Sequence, residues 1–416
     1  MNETKTQILI IGAGYGGMMA ALRLAGKTRR MSVELTLINT LDTFVERLRL
    51  HEMATHRPEA QPSIVTLLRG TGVKFLQGTV AAIDAQGQTV TVQTPSGEQS
   101  VSYTYLIYAL GSAIDQDSIP GVREYAYVLN STGARSVEKL RATLPQLAQG
   151  HGHVVVCGGG PTGIEAAAQI KGVYPDLRVS LVTANVCGAF AQPAIQTYMR
   201  EAIARRGVAI KDHATVKAVT EHTIGLADGQ SMPFDLCLWA GGFRAGALAA
   251  EMGLALSKDG RIHVDPCLRT TSHPNIYVVG DAAYPVEPDG TPAYIGAPPR
   301  MSALYALITG AHVADNLYRL LQHKSQKPLG FSTWGQAIAL GPDDAVGFAT
   351  FPNDHPVGPI YHGKLAYNIR AFFVWFLKLS LELERRWPGF FFWMGKGRYS
   401  KRHAVAPLNT KVQQTS

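Results

Sequence analysis

One local pattern occurs twice in this chain, and it constrains the fold more than any other feature. The apolar run Gln7–Ile11 leads into Gly12-Ala13-Gly14-Tyr15-Gly16-Gly17 and then into MMAALRLAGK. Later, His153–Cys157 leads into Gly158-Gly159-Gly160-Pro161-Thr162-Gly163 and then into IEAAAQIKGVY. The turns lie 146 residues apart (158 − 12), and the ends of the following strands, Asn39 and Thr183, lie 144 apart (183 − 39). A GxGxxG turn between strand and helix lets backbone approach a pyrophosphate, and the helix N-terminus adds N–H groups and a positive dipole end. One such match is a weak signal. Two in duplicated context predict an α/β chain with two Rossmann-like dinucleotide-binding units, holding two different nucleotides.

Length and composition agree. The chain has 416 residues, 46% hydrophobic and only 17% charged, which suits several domains with large cores and excludes extensive disorder. Between the glycine units, alternating stretches such as FLQGTVAAIDAQGQTVTVQTPSGEQSVSYTYLIYALGS predict a hairpin turning at Pro95-Ser96-Gly97. Cysteines at 157, 187, 237 and 267 form no CxxC pair, so neither a disulfide framework nor a metal site is expected. Cys157, ending a strand, reads as a small buried hydrophobe. The start, MNETKTQILIIGAG, has no basic leader, which predicts a cytoplasmic protein.

The net charge is +8, and the segment Tyr361–Ser416, with ten Lys/Arg and two acids (10 − 2), accounts for all of it. There the charge is interleaved with Phe, Trp and Leu, and no nucleic-acid recognition fold accompanies it. The run Ala371–Leu377 is too short to span a bilayer, which needs about 20 apolar residues. Phe372, Phe373, Phe376, Leu377, Leu379, Leu383 and Trp387 can share a helical face, and Trp375, Trp387 and Trp393 suit a headgroup level. This predicts a peripheral anchor on an anionic membrane surface. A helix packed on the body, or on a second subunit in a homodimer, is the alternative.

Two further stretches identify the nucleotides. Thr271-Ser272-His273-Pro274-Asn275-Ile276-Tyr277-Val278-Val279-Gly280-Asp281 resembles the second FAD fingerprint of the two-dinucleotide flavoprotein reductases, and Leu106–Ser112 resembles their crossover between domains. The resemblance implies FAD on the first turn and NADH or NADPH on the second. It divides the chain into an FAD domain (1–112 and 246–325), an inserted NAD(P) domain (113–245) and a C-terminal module (326–416). Within that superfamily, Cys157–Glu165, Leu238-Trp239-Ala240-Gly241-Gly242 and the basic-aromatic tail are similar to the type II NADH dehydrogenases. Those are single-chain flavoproteins that pass two electrons from NADH to a quinone without pumping protons.

Carried onto this sequence, the resemblance implies that Gly12, Gly14, Gly17, Asn39, Ala109, Gly111, Gly280 and Asp281 hold FAD, with Asp281 on the ribitol chain. Gly158, Gly160, Thr162, Gly163, Thr183, Gly241 and Gly242 hold the nicotinamide nucleotide, and Glu165 lies near the nicotinamide. Several positions depart from the family. Asn39 stands where an acid usually meets the FAD ribose, and Thr183 where one usually repels the 2′-phosphate of NADPH; no adjacent Arg or Lys clamps that phosphate, so NADH and NADPH both stay open. The charged loop Phe44–Glu52 replaces a more apolar one; Arg47 or Arg49 can meet the FAD pyrophosphate, and His51 can lie beside the flavin ring. The glutamines of the family's quinone helix are missing from Pro298–Tyr305, leaving Arg300, Met301 and Tyr305 as acceptor-site candidates beside a plain helix start. Disulfide reductases need a CxxxxC or CxxC pair at the flavin, and none exists, so electrons should leave through an external acceptor. A quinone is the first expectation. A soluble protein or specialised small-molecule acceptor, or a low-turnover nucleotide-sensing flavoprotein, are the alternatives.

Overall fold

Each glycine turn sits at the C-terminal edge of a five-stranded, all-parallel sheet. The computed structural model describes residues 5–56, 61–245, 248–287, 289–290, 299–330, 335–350 and 356–393. The first sheet runs, edge to edge, Ile276–Val278, Tyr105–Tyr108, Thr6–Ile11, Val33–Asn39 and Lys74–Gln77. The second runs Ala126–Val128, Leu236–Trp239, His153–Cys157, Arg178–Val182 and Val208–Lys211. In both, the strand that enters the glycine turn is central: the next strand in the chain (Val33–Asn39 or Arg178–Val182) adds on one side of it, and a later one (Tyr105–Tyr108 or Leu236–Trp239) adds on the other. That is the topological switch point at which open α/β sheets bind ligands.

Near-continuous runs such as QILII and HVVVC fit strands buried on both faces. Ile8–Ile11 and Val154–Cys157 are at most 1% exposed. Each sheet carries a three-stranded antiparallel layer: Thr79–Asp84, Thr89–Thr94 and Gly97–Ser102 beside the first, and Val216–Val219, Thr223–Leu226 and Ser231–Pro233 beside the second. The expected hairpin at Pro95–Gly97 is present, pairing Thr94 with Gly97. All strands of the second sheet lie between Tyr105–Tyr108 and Ile276–Val278, which are adjacent in the first.

The long helix Ala303–Leu321 packs on the helix Tyr15–Thr28 of the first glycine unit. Gly310 makes the approach possible, since a Cβ there would lie 2.2 Å from the Gly16 carbonyl oxygen. A three-stranded antiparallel sheet (Gly335–Ala339, Ala345–Thr350, Pro356–His362) then leads to the C-terminal helix Gly363–Arg386. Ala366, Arg370, Leu377, Ser380, Leu381 and Glu384 form its buried stripe, at the spacing of a helix with one face on a core.

This corrects two expectations for the tail. Leu377, grouped with the outward aromatic residues, faces the body. Trp393, expected at a headgroup level, is 0% exposed and donates its indole N–H to the Gly330 carbonyl at 2.7 Å. The chain reverses after the helix, because the buried carboxylate of Glu384 accepts the N–H groups of Gly389 (2.5 Å) and Phe391 (2.8 Å). Phe372, Phe373, Trp375, Trp387, Phe390 and Phe392 are exposed. No helix among the described residues is long and apolar enough to cross a membrane. The basic residues after Trp393, and Pro298, lie outside the described residues.

Candidate functional site

The two glycine turns are near-copies in three dimensions. Gly12 N–H donates to Ile38 O and Gly158 N–H to Val182 O, each at 2.8 Å. Gly12 (φ +97°) and Gly158 (φ +134°) press against the crossing strand, where a Cβ would stand 2.5 Å from Ala109 O and 2.4 Å from Ala240 O. At Gly17 and Gly163 a Cβ would stand 1.9 Å from the carbonyl of Gly12 or Gly158. The middle glycines, Gly14 and Gly160, have nothing within 4 Å on the Cβ side. They precede helices of 14 and 13 residues that no side chain caps. The first and third glycines therefore shape the turn, while the middle one leaves room for a ligand in front of free helix N–H groups.

The first cradle has a second wall. Gly280 N–H is held by Thr309 Oγ1 at 2.8 Å. Asp281 Oδ2 accepts from Ser112 Oγ at 2.8 Å, but its Oδ1 is buried with no partner among the described residues. A buried carboxylate oxygen left alone is costly, of order 1–3 kcal/mol or more. A ribitol hydroxyl is the donor that the FAD fingerprint implies, and the residues fit FAD. Arg47 reaches the same region, donating to Ser112 O at 2.9 Å, with Gly111 (φ +68°) beside it. Asn39 closes the turn: Oδ1 accepts the Ala13 N–H (3.0 Å) and Nδ2 donates to Leu41 O (2.8 Å). An aspartate could not make the second of these bonds, which gives the amide a structural reason independent of the ribose.

In the second cradle, Gly241 lies over the Trp239 indole and Gly242 adopts φ +143°. Thr162 stands in the first turn of the helix, partly buried. Thr183 N–H donates to Lys211 O at 3.0 Å. Cys157 is buried as expected, with its sulfur 3.9 Å from that of Cys237.

Glu165 and His51 meet at a junction that the sequence did not reveal. His51 Nδ1 is 3.8 Å from Glu165 Oε2, and its Nε2 is 3.7 Å from Glu52 Oε1. Arg370, from the C-terminal helix, completes the cluster. It reaches Glu165 Oε1 and Glu52 Oε1, both at 3.2 Å, donates to Leu48 O at 3.2 Å and approaches His51 Nε2 at 3.4 Å. Glu165 Oε1 also accepts the Ala339 N–H at 3.0 Å. His51 is 3% exposed, and burial holds its pKa below the ordinary range against the opposing pull of Glu165. Burial pushes Glu52 the other way, yet His51, Arg49 and Arg370 together hold its carboxyl below the usual range. Arg49 pairs with Glu52 at 2.8 Å, and Lys378 pairs with Glu46 at 2.8 Å. The charged loop thus fastens the C-terminal helix.

Of the three residues expected at the acceptor, Arg300 donates to Gln336 Oε1 at 2.7 Å, Met301 is partly buried, and Tyr305 is 1% exposed with its phenol pKa pushed far up by burial. Ser302 caps the helix, accepting the Tyr305 N–H at 3.1 Å.

Two parallel-sheet cradles, one within the other, with an FAD fingerprint closing the outer one, define a flavin- and nicotinamide-dependent oxidoreductase fold. The chain belongs to the pyridine nucleotide-disulphide oxidoreductase family, which it matches over residues 6–309. It is 30% identical over 303 residues to an NADH dehydrogenase-like protein of Mycobacterium tuberculosis, covering 67% of this chain and 73% of the relative. It is 27% identical over 363 residues to the demethylphylloquinone reductase NdbB of Synechocystis, covering 83% and 87%. Its fold matches that of NDH2 from Plasmodium falciparum in complex with NADH, with a TM-score of 0.75 at 17% identity, covering 92% and 99%. The protein is an oxidoreductase that works with FAD and NAD(P)H.

Proposed function

We propose that the protein is an NAD(P)H:quinone oxidoreductase in which residues 1–112 and 246–325 hold FAD, residues 113–245 bind the nicotinamide nucleotide, and residues 326–416 form the anchoring module. The observation that carries this reading is the pairing of two open glycine cradles with one orphaned carboxylate oxygen, on Asp281. Bound FAD would supply the two-electron redox chemistry that links the reduced nicotinamide to the acceptor. The chain's own residues do the holding. Backbone N–H groups after Gly12 and Gly14 meet the FAD pyrophosphate, Asp281 Oδ1 takes a ribitol hydroxyl, and Arg47 supplies positive charge by the crossover. Gly158, Gly160 and Gly163 do the same for the second nucleotide, with Gly241 and Gly242 beside it.

Orientation is the main contribution, since holding two reactants in register removes most of the entropic barrier to their meeting. Glu165 is fixed at Oε1 by Arg370 and the Ala339 N–H, which leaves Oε2 on the His51 side and holds one geometry toward the nicotinamide. His51, whose pKa burial lowers, can accept a proton at a ring nitrogen. Arg300, Met301 and Tyr305 flank the acceptor. The exposed aromatic residues of Gly363–Arg386 lie on an anionic bilayer surface, from which a lipophilic quinone arrives.

The test is anaerobic. Adding NADH or NADPH to the FAD-loaded protein should bleach the flavin within seconds, and a short-chain quinone should restore the colour. Bleaching that no quinone reverses would remove the acceptor from this reading, and a protein that rejects FAD would remove all of it. Vesicles with anionic lipid should capture the wild type and release a Phe372→Ser, Trp375→Ser variant of unchanged melting temperature.

A further inference from the structure

At the end of strand Arg178–Val182 the fold assembles groups that are distant in sequence. Thr183 N–H donates to Lys211 O (3.0 Å), Ala214 N–H to Thr183 O (2.8 Å) and His213 N–H to Asn185 O (3.3 Å). In a dinucleotide fold this strand end faces the adenosine ribose, and an acidic side chain there binds the ribose hydroxyls and repels a 2′-phosphate. Position 183 is instead a buried threonine, whose hydroxyl is directed at the turn: a Cβ on Gly159 would stand 2.5 Å from it. The next residues, Ala184 and Asn185, are exposed and uncharged.

Among the described residues, Asp212 is the acid closest in the chain to this rim, and its charge is already matched. Arg200 meets it at 2.7 Å and 3.1 Å, and Cys187 N–H donates to it at 2.7 Å. Burial raises its pKa, but Arg200, the Cys187 N–H and His213 outweigh that and hold it below the usual range. Lys211 meets only a neutral oxygen, Gln230 Oε1 at 3.1 Å; Asp228, behind it, accepts the Gln230 N–H at 2.9 Å. His213 is exposed, on a left-handed backbone (φ +52°) that turns it out at the edge. Backbone pairing therefore brings Asn185, Lys211 and His213 to one strand end, and the carboxylate between the last two, Asp212, is already matched. That donor set suits a phosphate dianion.

We propose that this rim receives a 2′-phosphate, so that the hydride donor is NADPH in preference to NADH, with Asn185, Lys211 and His213 as the specificity-determining residues. The proposal rests on the second cradle being the nicotinamide site. It is tested by calorimetric titration of the FAD-loaded, full-length protein with two fragments, 2′,5′-ADP and 5′-ADP. The phosphorylated fragment should bind at least about fivefold tighter, and the advantage should shrink at high salt. Lys211→Ala combined with His213→Ala should reduce the two affinities to parity. Thr183→Asp should weaken 2′,5′-ADP by about tenfold or more while leaving 5′-ADP within about twofold. Equal or tighter binding of 5′-ADP by the wild type overturns the proposal alone, as does a Thr183→Asp variant that keeps the wild-type preference. Binding of neither fragment by a protein that retains FAD overturns the assignment of the second cradle and this proposal together.

Discussion

The two glycine cradles share their turn geometry almost atom for atom, and they differ in what surrounds them. The first is roofed. Ala303–Leu321 crosses its helix at Gly16 and Gly310, the Gly280–Asp281 wall closes the far side, and Asn39 ties down the loop. Among the described residues the second has no comparable roof: its rim at Ala184, Asn185 and His213 is exposed, and its helix meets the rest of the chain through Gln169 on Thr55 and the cluster at Glu165. On the proposed reading, one motif in two settings would hold a resident nucleotide and a visiting one. The turn supplies affinity for a pyrophosphate, and the enclosure decides how long the ligand stays.

The sharpest way to break this contrast is a methyl group at each first glycine. Gly12→Ala sets a Cβ against Ala109 O in a left-handed backbone and should yield a folded but colourless protein, read by visible absorbance beside circular dichroism. Gly158→Ala should keep full flavin content and lose nucleotide-driven bleaching by about a hundredfold or more. If it too comes out colourless, the cradles are not separable. Next in size is Glu165→Gln, which removes the charge that Arg370 and His51 face. Stopped-flow bleaching should slow by roughly 10- to 100-fold with flavin retention unchanged. Asp281→Asn probes the roof itself. Its amide cannot act as a second charged acceptor, and the FAD dissociation constant should rise about tenfold, near 1.4 kcal/mol.

The smallest effect concerns pH. His51 has its folded-state pKa depressed, so the unfolded chain binds its proton more readily, and stability is lost as pH falls below about 6.5. Urea melts at pH 7.5 and 5.5 should differ by up to about 1.4 kcal/mol through this group. His51→Gln should flatten that slope. His153, also depressed by burial and Arg178, contributes in the same window and sets what slope remains. An undiminished slope in the variant would mean that the junction is hydrated.

The sheets and turns were legible in the sequence because their determinants are local. A left-handed turn pressed on a carbonyl accepts only glycine, and a doubly covered strand reads as an apolar run. The junction was illegible for the opposite reason. Arg370 lies 318 residues from Glu52 and reads in isolation as one more basic residue of the tail. Lys211 and His213 come beside Thr183 only through strand pairing. Trp393 resembled an interfacial tryptophan because nothing in its neighbours announces the reversal that Glu384 enforces. The stripe from Ala366 through Arg370 to Glu384 could have been found, since a charged residue at core spacing signals a buried ion pair.

The interleaving of the sheets sets an order on synthesis. Every strand of the inner sheet, Ala126 to Lys211 and Leu236 to Trp239, has left the ribosome before Ile276–Val278 can add the last strand to the outer one. The nascent chain can complete its second nucleotide unit while the first still shows an open edge at Tyr105–Tyr108. A ribosome stalled between the two would carry a half-finished flavin unit joined to a finished neighbour.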